Sequence, residues 1–111
     1  NIIGSMRNVA VVAMAKNLAD ELGPHGINVT VVHPGMTRTE KTSINIEKQA
    51  QRFSITAEEV ERRMAENNSV RRIIDARDIA YVVAFLASPR SISINGDVVA
   101  AGGGNSNSIY Y

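Results

Sequence analysis

Cysteine and tryptophan are absent from this sequence, the aromatic residues are two phenylalanines and three tyrosines, and only three prolines occur. Without cysteine there are no disulfides and no thiolate-ligated metals. The two histidines, His25 and His33, do not make a metal cluster. No apolar run approaches the ~20 residues of a membrane span. Neither sign of charge dominates: 12 basic residues against 11 acidic leave a net charge of +1, and no basic patch points to nucleic acid. No leader segment is visible, although the first residue is Asn1 rather than Met. The expectation is therefore a cytoplasmic protein whose partners include neither nucleic acid nor membrane. The start at Asn1 leaves open that the chain belongs to a longer one.

What is present is a balanced globular composition, 44% hydrophobic and 21% charged. Its 111 residues amount to about one small domain, taken as residues 1–111. The most informative stretch is 27–40. Ile27, Val29, Thr30, Val31 and Val32 are β-branched and favour extended backbone. The run stops at Pro34-Gly35, where proline removes a ladder donor and glycine accepts dihedrals that other residues resist. A buried strand over 27–33 is thus delivered into a loop carrying Thr37, Arg38 and Thr39. In open parallel α/β sheets ligands bind outside the carboxyl ends of the strands, which makes this loop the leading site.

Upstream, Met6, Ala10, Val11, Met14, Ala15, Leu18 and Leu22 recur at helical spacing and predict a helix over 5–23. Val9, Val12 and Ala13 make its first half apolar on the other side too, so both sides require cover. That cover is a partner subunit, a further part of the protein, or a loop of the same chain. Gly23 suits the C-cap, with Pro24 following. Helix and strand together are half of a βαβ crossover.

Residues 41–45 are polar and aperiodic, 46–53 form a short amphipathic helix, and Thr56 with Glu59 matches a capping box for the helix that follows. The 41–74 segment reads either as a lid over a ligand or as a solvated surface excursion. Asp75 is expected to cap a further helix, with Ile79, Val82, Val83 and Leu86 as its buried stripe and Tyr81 packing beside them. Ser88-Pro89 ends that helix, and residues 98–101 form the second and last strand before Gly102-Gly103-Gly104.

Five segments in this order resemble a known family. They are 18–29, His33-Pro34-Gly35-Met36-Thr37-Arg38-Thr39-Glu40, Asp78-Ile79-Ala80, Phe85-Leu86-Ala87-Ser88, and Ile94-Asn95-Gly96-Asp97 leading to Gly102-Gly103. Each is weak alone; together they look like the C-terminal half of a short-chain dehydrogenase/reductase. The resemblance implies an α/β fold: the C-terminal portion of a Rossmann-type doubly wound sheet. Its order is long helix, parallel strand, small helical insertion, helix and final strand. It also implies an NAD or NADP cofactor, and a homo-oligomer, dimer or tetramer, built through helix 5–23 and the last helix and strand. Carried over residue by residue, the nicotinamide-side contacts fall on Pro34, Gly35, Thr37 and Thr39. Backbone N–H groups freed by the turn and the threonine hydroxyls suit a carboxamide. Local capping of the next segment is the alternative role for the threonines.

The sequence departs from the family pattern at the acid–base centre. The expected Tyr and Lys, four residues apart, are Gly4 and Asn8 here, so no catalytic residue is assigned. Neither side chain can protonate a carbonyl oxygen or lower the pKa of a group that does. The family's phosphate-binding glycine loop has no counterpart in these residues. Two functions remain: part of an NAD(P)-dependent short-chain oxidoreductase acting on a carbonyl or alcohol, or a catalytically inactive dehydrogenase-like module acting through self-association or partner binding. His33, Arg71 and Arg72 are left as structural or solvated residues, and Tyr110 and Tyr111 carry no site.

Overall fold

A computed structural model describes residues 2–105 of the chain. Asn1, Tyr110 and Tyr111, considered above, lie outside the described residues. Four helices run over Ile2–Leu22 (α1), Thr42–Phe53 (α2), Ala57–Ala65 (α3) and Ala76–Leu86 (α4). Four short strands cover Val31–His33 (β1), Thr37–Arg38 (β2), Ile74–Asp75 (β3) and Val98–Ala100 (β4). They form two two-stranded sheets, β1 with β4 and β2 with β3. Contacts divide the described residues into two compact units, 2–33 with 81–99 and 34–80 with 100–105.

In the first unit the helix expected over 5–23 is seen as α1, continued by a 3₁₀ turn at Gly23–His25. The left-handed cap is therefore Gly26 (φ 78°), not Gly23, and its N–H bonds to the Gly23 carbonyl at 2.9 Å. Pro24 sits at the start of that turn, where its missing N–H costs nothing. The strand expected over 27–33 shrinks to β1, and its residues are half-buried rather than buried. Residues 27–30 are held by a mixture of backbone and side-chain bonds: the Val29 carbonyl accepts the Gly96 N–H at 2.8 Å, and Val29 donates its N–H to Asn95 Oδ1 at 2.8 Å. Asn28 Nδ2 donates to the Ile94 carbonyl at 3.1 Å. Asn95 in turn donates from Nδ2 to the Ala19 carbonyl near the end of α1, at 3.4 Å. One asparagine thus joins the long helix, the strand approach and the 94–97 turn.

In the second unit α2 begins at Thr42, four residues ahead of the expected start, and packs against α3. Ile46 and Val60 are buried there, at 5% and 2% exposure, and Ile73 and Ile74 are buried beside β3. Thr56 caps α3 as read from the sequence, its Oγ1 accepting from the Glu59 N–H at 3.1 Å. Glu59 does not return the bond expected of a capping box; its carboxylate takes Arg62 and Arg63 instead. β2 and β3 pair in parallel, Thr37 with Ile74 and Arg38 with Asp75. At two residues each they leave no period in the sequence.

The cap of α4 runs opposite to expectation: Asp78 Oδ2, inside the first turn, accepts the Asp75 N–H at 3.0 Å. This bond and the Arg72 guanidinium hold the Asp78 carboxyl below its usual pKa. No residue of α4 is buried, so the stripe of Ile79, Val82, Val83 and Leu86 is only partly covered. Tyr81 is 65% exposed and does not pack as expected. Among the described residues no helix is long and apolar enough to cross a membrane, and no cluster of His, Asp and Glu could hold a metal ion.

Candidate functional site

The loop 34–39 belongs to the second unit. The chain turns at Gly35, whose φ of 61° is a left-handed conformation open mainly to glycine. Thr37 then enters β2, which fixes its backbone against Ile74. Its Oγ1 donates to the Pro34 carbonyl at 3.3 Å, closing the turn on itself. Thr39 is tied to the start of α2: its N–H donates to Thr42 Oγ1 at 2.8 Å, and its carbonyl accepts the Thr42 N–H at 3.0 Å. The two hydroxyls of Thr39 and Thr42 stand 3.5 Å apart. The turn into α2 is thus closed by Thr42, which the sequence did not single out, while α2 itself has no side-chain N-cap bond.

The structure brings Pro34, Gly35, Thr37 and Thr39 into one turn. Pro34, Gly35 and Thr39 are exposed, and Thr37 is half-buried. A hydroxyl that donates one hydrogen bond still has lone pairs to accept others, so Thr37 Oγ1 retains capacity toward a ligand N–H. A carboxamide needs an acceptor for its N–H groups and a donor for its oxygen. The Thr37 and Thr39 hydroxyls and the backbone of an exposed glycine turn are the right chemistry for both. Arg38, between them, is not free for a ligand: its guanidinium pairs with Glu61 of α3.

Gly4 and Asn8 lie in the first unit, one helical turn apart on α1. Asn8 is exposed, and its Oδ1 is 3.5 Å from Arg7 Nε. His33 is half-buried at the end of β1. Arg72 pairs with Asp78 at 2.9 Å, while Arg71 is exposed in a left-handed conformation (φ 55°). The 41–74 segment buries Thr42, Ile46, Val60 and Asn68, so it is an ordered part of its unit rather than a fully solvated excursion. Between α2 and α3 it holds a groove of about 150 Å³ lined by Phe53, Ile55, Val60 and Met64 among others.

Sequence reasoning missed two residues that are joined to each other, one of which, Asn105, lies beside Gly35. Asn68, 4% exposed, donates from Nδ2 to the Arg72 carbonyl at 2.8 Å. Asn105 forms an isolated antiparallel bridge with it. The one sequence signal available was the pairing of Gly35 with the 102–104 glycines, since isolated strand-end glycines often mark close backbone approach.

The family model described as Enoyl-(Acyl carrier protein) reductase matches residues 5–106. The NADPH-dependent reductase BacG of Bacillus subtilis (strain 168) is 32% identical over 105 residues, covering 95% of this chain and 40% of the relative. The chloroplastic NADPH-dependent aldehyde reductase 2 of Arabidopsis thaliana is 39% identical over 95 residues, covering 86% of this chain and 31% of the relative. Among solved structures, YwfH, an NADPH-dependent reductase involved in bacilysin biosynthesis, superposes with a TM-score of 0.78 at 30% identity, covering 95% of this chain and 40% of that one. The L-sorbose reductase of Gluconobacter frateurii, complexed with NADPH and L-sorbose, gives 0.80 at 20% identity, covering 91% and 39%, a likeness of fold. The chain therefore spans about two fifths or less of the length of these relatives. Motif order, family model and fold agree: the chain belongs to the short-chain dehydrogenase/reductase family and forms a portion of its Rossmann-type α/β fold.

Proposed function

We propose that this chain is part of an NADPH-dependent short-chain reductase acting on a carbonyl or alcohol, and that loop 34–39 forms the nicotinamide-side wall of the cofactor site. The observation that carries this is the Gly35 turn closed by Thr37 Oγ1 on the Pro34 carbonyl and locked by the β2–β3 pair. It presents hydroxyls and turn backbone at a strand end, where this class of sheet binds ligands. The NADPH dependence of the relatives named above favours NADPH over NADH. When bound, the nicotinamide supplies the hydride equivalent. The residues of this chain hold its carboxamide: Thr37 and Thr39 through their hydroxyls, Pro34 and Gly35 through the backbone. Gly4 and Asn8 provide neither a phenol nor an ammonium, so the proton for a carbonyl oxygen is not assigned to them.

The test is titration with NADPH and separately NADH, read by fluorescence and thermal shift, in the protein that carries this chain and in its Thr39→Ala variant. The expected result is tighter binding of NADPH and a roughly fivefold loss in the variant, the worth of one ordinary hydrogen bond. Equal affinity of the two forms removes Thr39 from the site. Absence of binding by either nucleotide overturns the proposal.

One observation favours a second reading, association without catalysis. Ile2, Ile3, Met6 and Val9 of α1 are 78%, 79%, 67% and 70% exposed, an apolar surface suited to a partner. In this reading α1, with the last helix and strand, builds a homodimer or tetramer. Sedimentation giving a monomer at high micromolar concentration would remove it.

A further inference from the structure

A methyl group placed on Gly35 would lie 2.8 Å from Asn105 Nδ2, 3.1 Å from its Oδ1 and 2.9 Å from the Gly102 Cα. A methyl on Gly102 would lie 2.7 Å from the same Nδ2 and 3.1 Å from Cγ and Oδ1. Carbon atoms make ordinary contact at about 3.5–4.0 Å, so a side chain at Gly35 would collide with the Gly102 backbone, and one at Gly102 would displace the Asn105 carboxamide. The Gly35 and Gly102 backbones and the Asn105 carboxamide therefore come together at one point.

Asn105 is carried there by a set of hydrogen bonds from the 68–72 turn. The Ser69 N–H and Oγ donate to the Gly104 carbonyl at 2.8 and 3.1 Å, and the Val70 N–H donates to the Gly103 carbonyl at 3.1 Å. Buried Asn68 braces that turn through the Arg72 carbonyl and bridges to Asn105. A few residues on, the same segment becomes β3 and pairs with Thr37 and Arg38. The loop is thus held from two sides by one stretch of chain. The 74–75 ladder holds its far end, and Asn105 lies against its apex at Gly35.

We infer that Asn105 is a positioning residue for loop 34–39: its carboxamide seats on Gly35 and Gly102 and sets the turn that presents Thr37 and Thr39. Its role toward a cofactor rests on the nicotinamide proposal above; its role toward the loop does not. A planar carboxamide is suited to this task. It is thin enough to lie between two backbones, and its donors and acceptor match peptide groups on either side.

The experiment is amide NMR and NADPH titration, both on the protein that carries this chain. In the unaltered chain, nuclear Overhauser contacts between the Asn105 side-chain NH₂ and the Gly35 Hα are expected; their absence overturns the inference without need of any variant. In Asn105→Ala the Gly35 and Thr37 amide resonances should move, and unchanged positions overturn it. Gly102→Ala, whose methyl would fall 2.7 Å from Asn105 Nδ2, should also displace the Gly35 resonance, and an unmoved resonance counts against the inference. In the titration, Asn105→Ala should weaken NADPH roughly fivefold, and equal affinity ends the cofactor role. If the unaltered protein does not bind NADPH, the nicotinamide proposal fails, while the Gly35 contacts and shifts still decide whether Asn105 sets the loop.

Discussion

The two units of this chain differ in where they keep their apolar residues. The second buries Ile46, Val60, Ile73 and Ile74 among its own elements. The first buries Ala15 and Ala19 and leaves Ile2, Ile3, Met6, Val9 and Met14 more than half exposed. It also leaves an open groove of about 440 Å³ beside Thr30, Val32, Val83 and Leu86. Family membership accounts for the contrast in physical terms. A doubly wound sheet is covered on both faces, and this chain spans about two fifths of relatives such as BacG and YwfH. A core of its own distinguishes a region that can hold a site from one whose helix and strand have surface left to cover.

The contrast can be broken most directly by removing a buried side chain. Ile46→Ala, at 5% exposure, should cost about 2–5 kcal/mol in urea unfolding. A cost below about 1 kcal/mol would deny the second unit its core. In the first unit the largest expected effect is polar rather than apolar. Asn95→Ala leaves the Val29 N–H and the Ala19 carbonyl without their partner and should cost about 1–3 kcal/mol. Hydrogen exchange at Val29 should rise more than at Val60.

Acid provides a smaller effect, confined to the second unit. Hydrogen bonds from Arg62 and then Arg63 lower the Glu59 pKa from 4.5 to about 2. A carboxylate with a depressed folded pKa stabilises above its unfolded value and loses that stability as pH falls through the folded one. The support for α3 should therefore be complete above pH 4.5 and decline toward pH 2, read as loss of helical circular dichroism, and disappear in Glu59→Gln. Because these groups are solvated, the effect should shrink in high salt. Smallest of all is Met6→Ala, 67% exposed, which should move stability by less than about 0.5 kcal/mol in a monomer. A larger cost that grows with protein concentration would mean that α1 is covered by another copy.

Much of the fold was legible because strong local signals agree with it. Helix periodicity placed α1 and α4, Thr56 announced the start of α3, and the Pro34-Gly35 break marked the loop. What escaped was set by distant partners. The left-handed cap moved from Gly23 to Gly26 because Pro24 begins a 3₁₀ turn in between. β2 and β3 exist because residues 37–38 meet residues 74–75. The strand approach at 27–30 is held by Asn95 and by the Ile92 and Ile94 carbonyls, which accept from Asn28 Nδ2, and no pattern within 27–33 could reveal these partners. Pro34, Gly35, Thr37 and Thr39, the residues proposed for the site, lie in one turn, whereas Thr42, Asn68 and Asn105 were not singled out. Their importance comes from position in space, and a lone threonine or asparagine in a polar stretch gives no signal of it.

The two units are interleaved along the chain, and this has a consequence for how the protein folds. Each is assembled from two segments separated by a piece of the other. Bonds of the first unit close loops of 64 to 76 residues, whereas Arg38 and Glu61 of the second are 23 apart and Ser69 and Gly104 are 35 apart. Loop closure costs about 0.6 kcal/mol more per doubling of length, so the shorter closures come first. Pairing of residues 37–38 with 74–75 then draws the flanking segments together and shortens every loop the first unit must close. A chain cut within 42–65 is therefore expected to lose the order of a long helix that lies far from the cut in sequence, which circular dichroism of the cut chain would read.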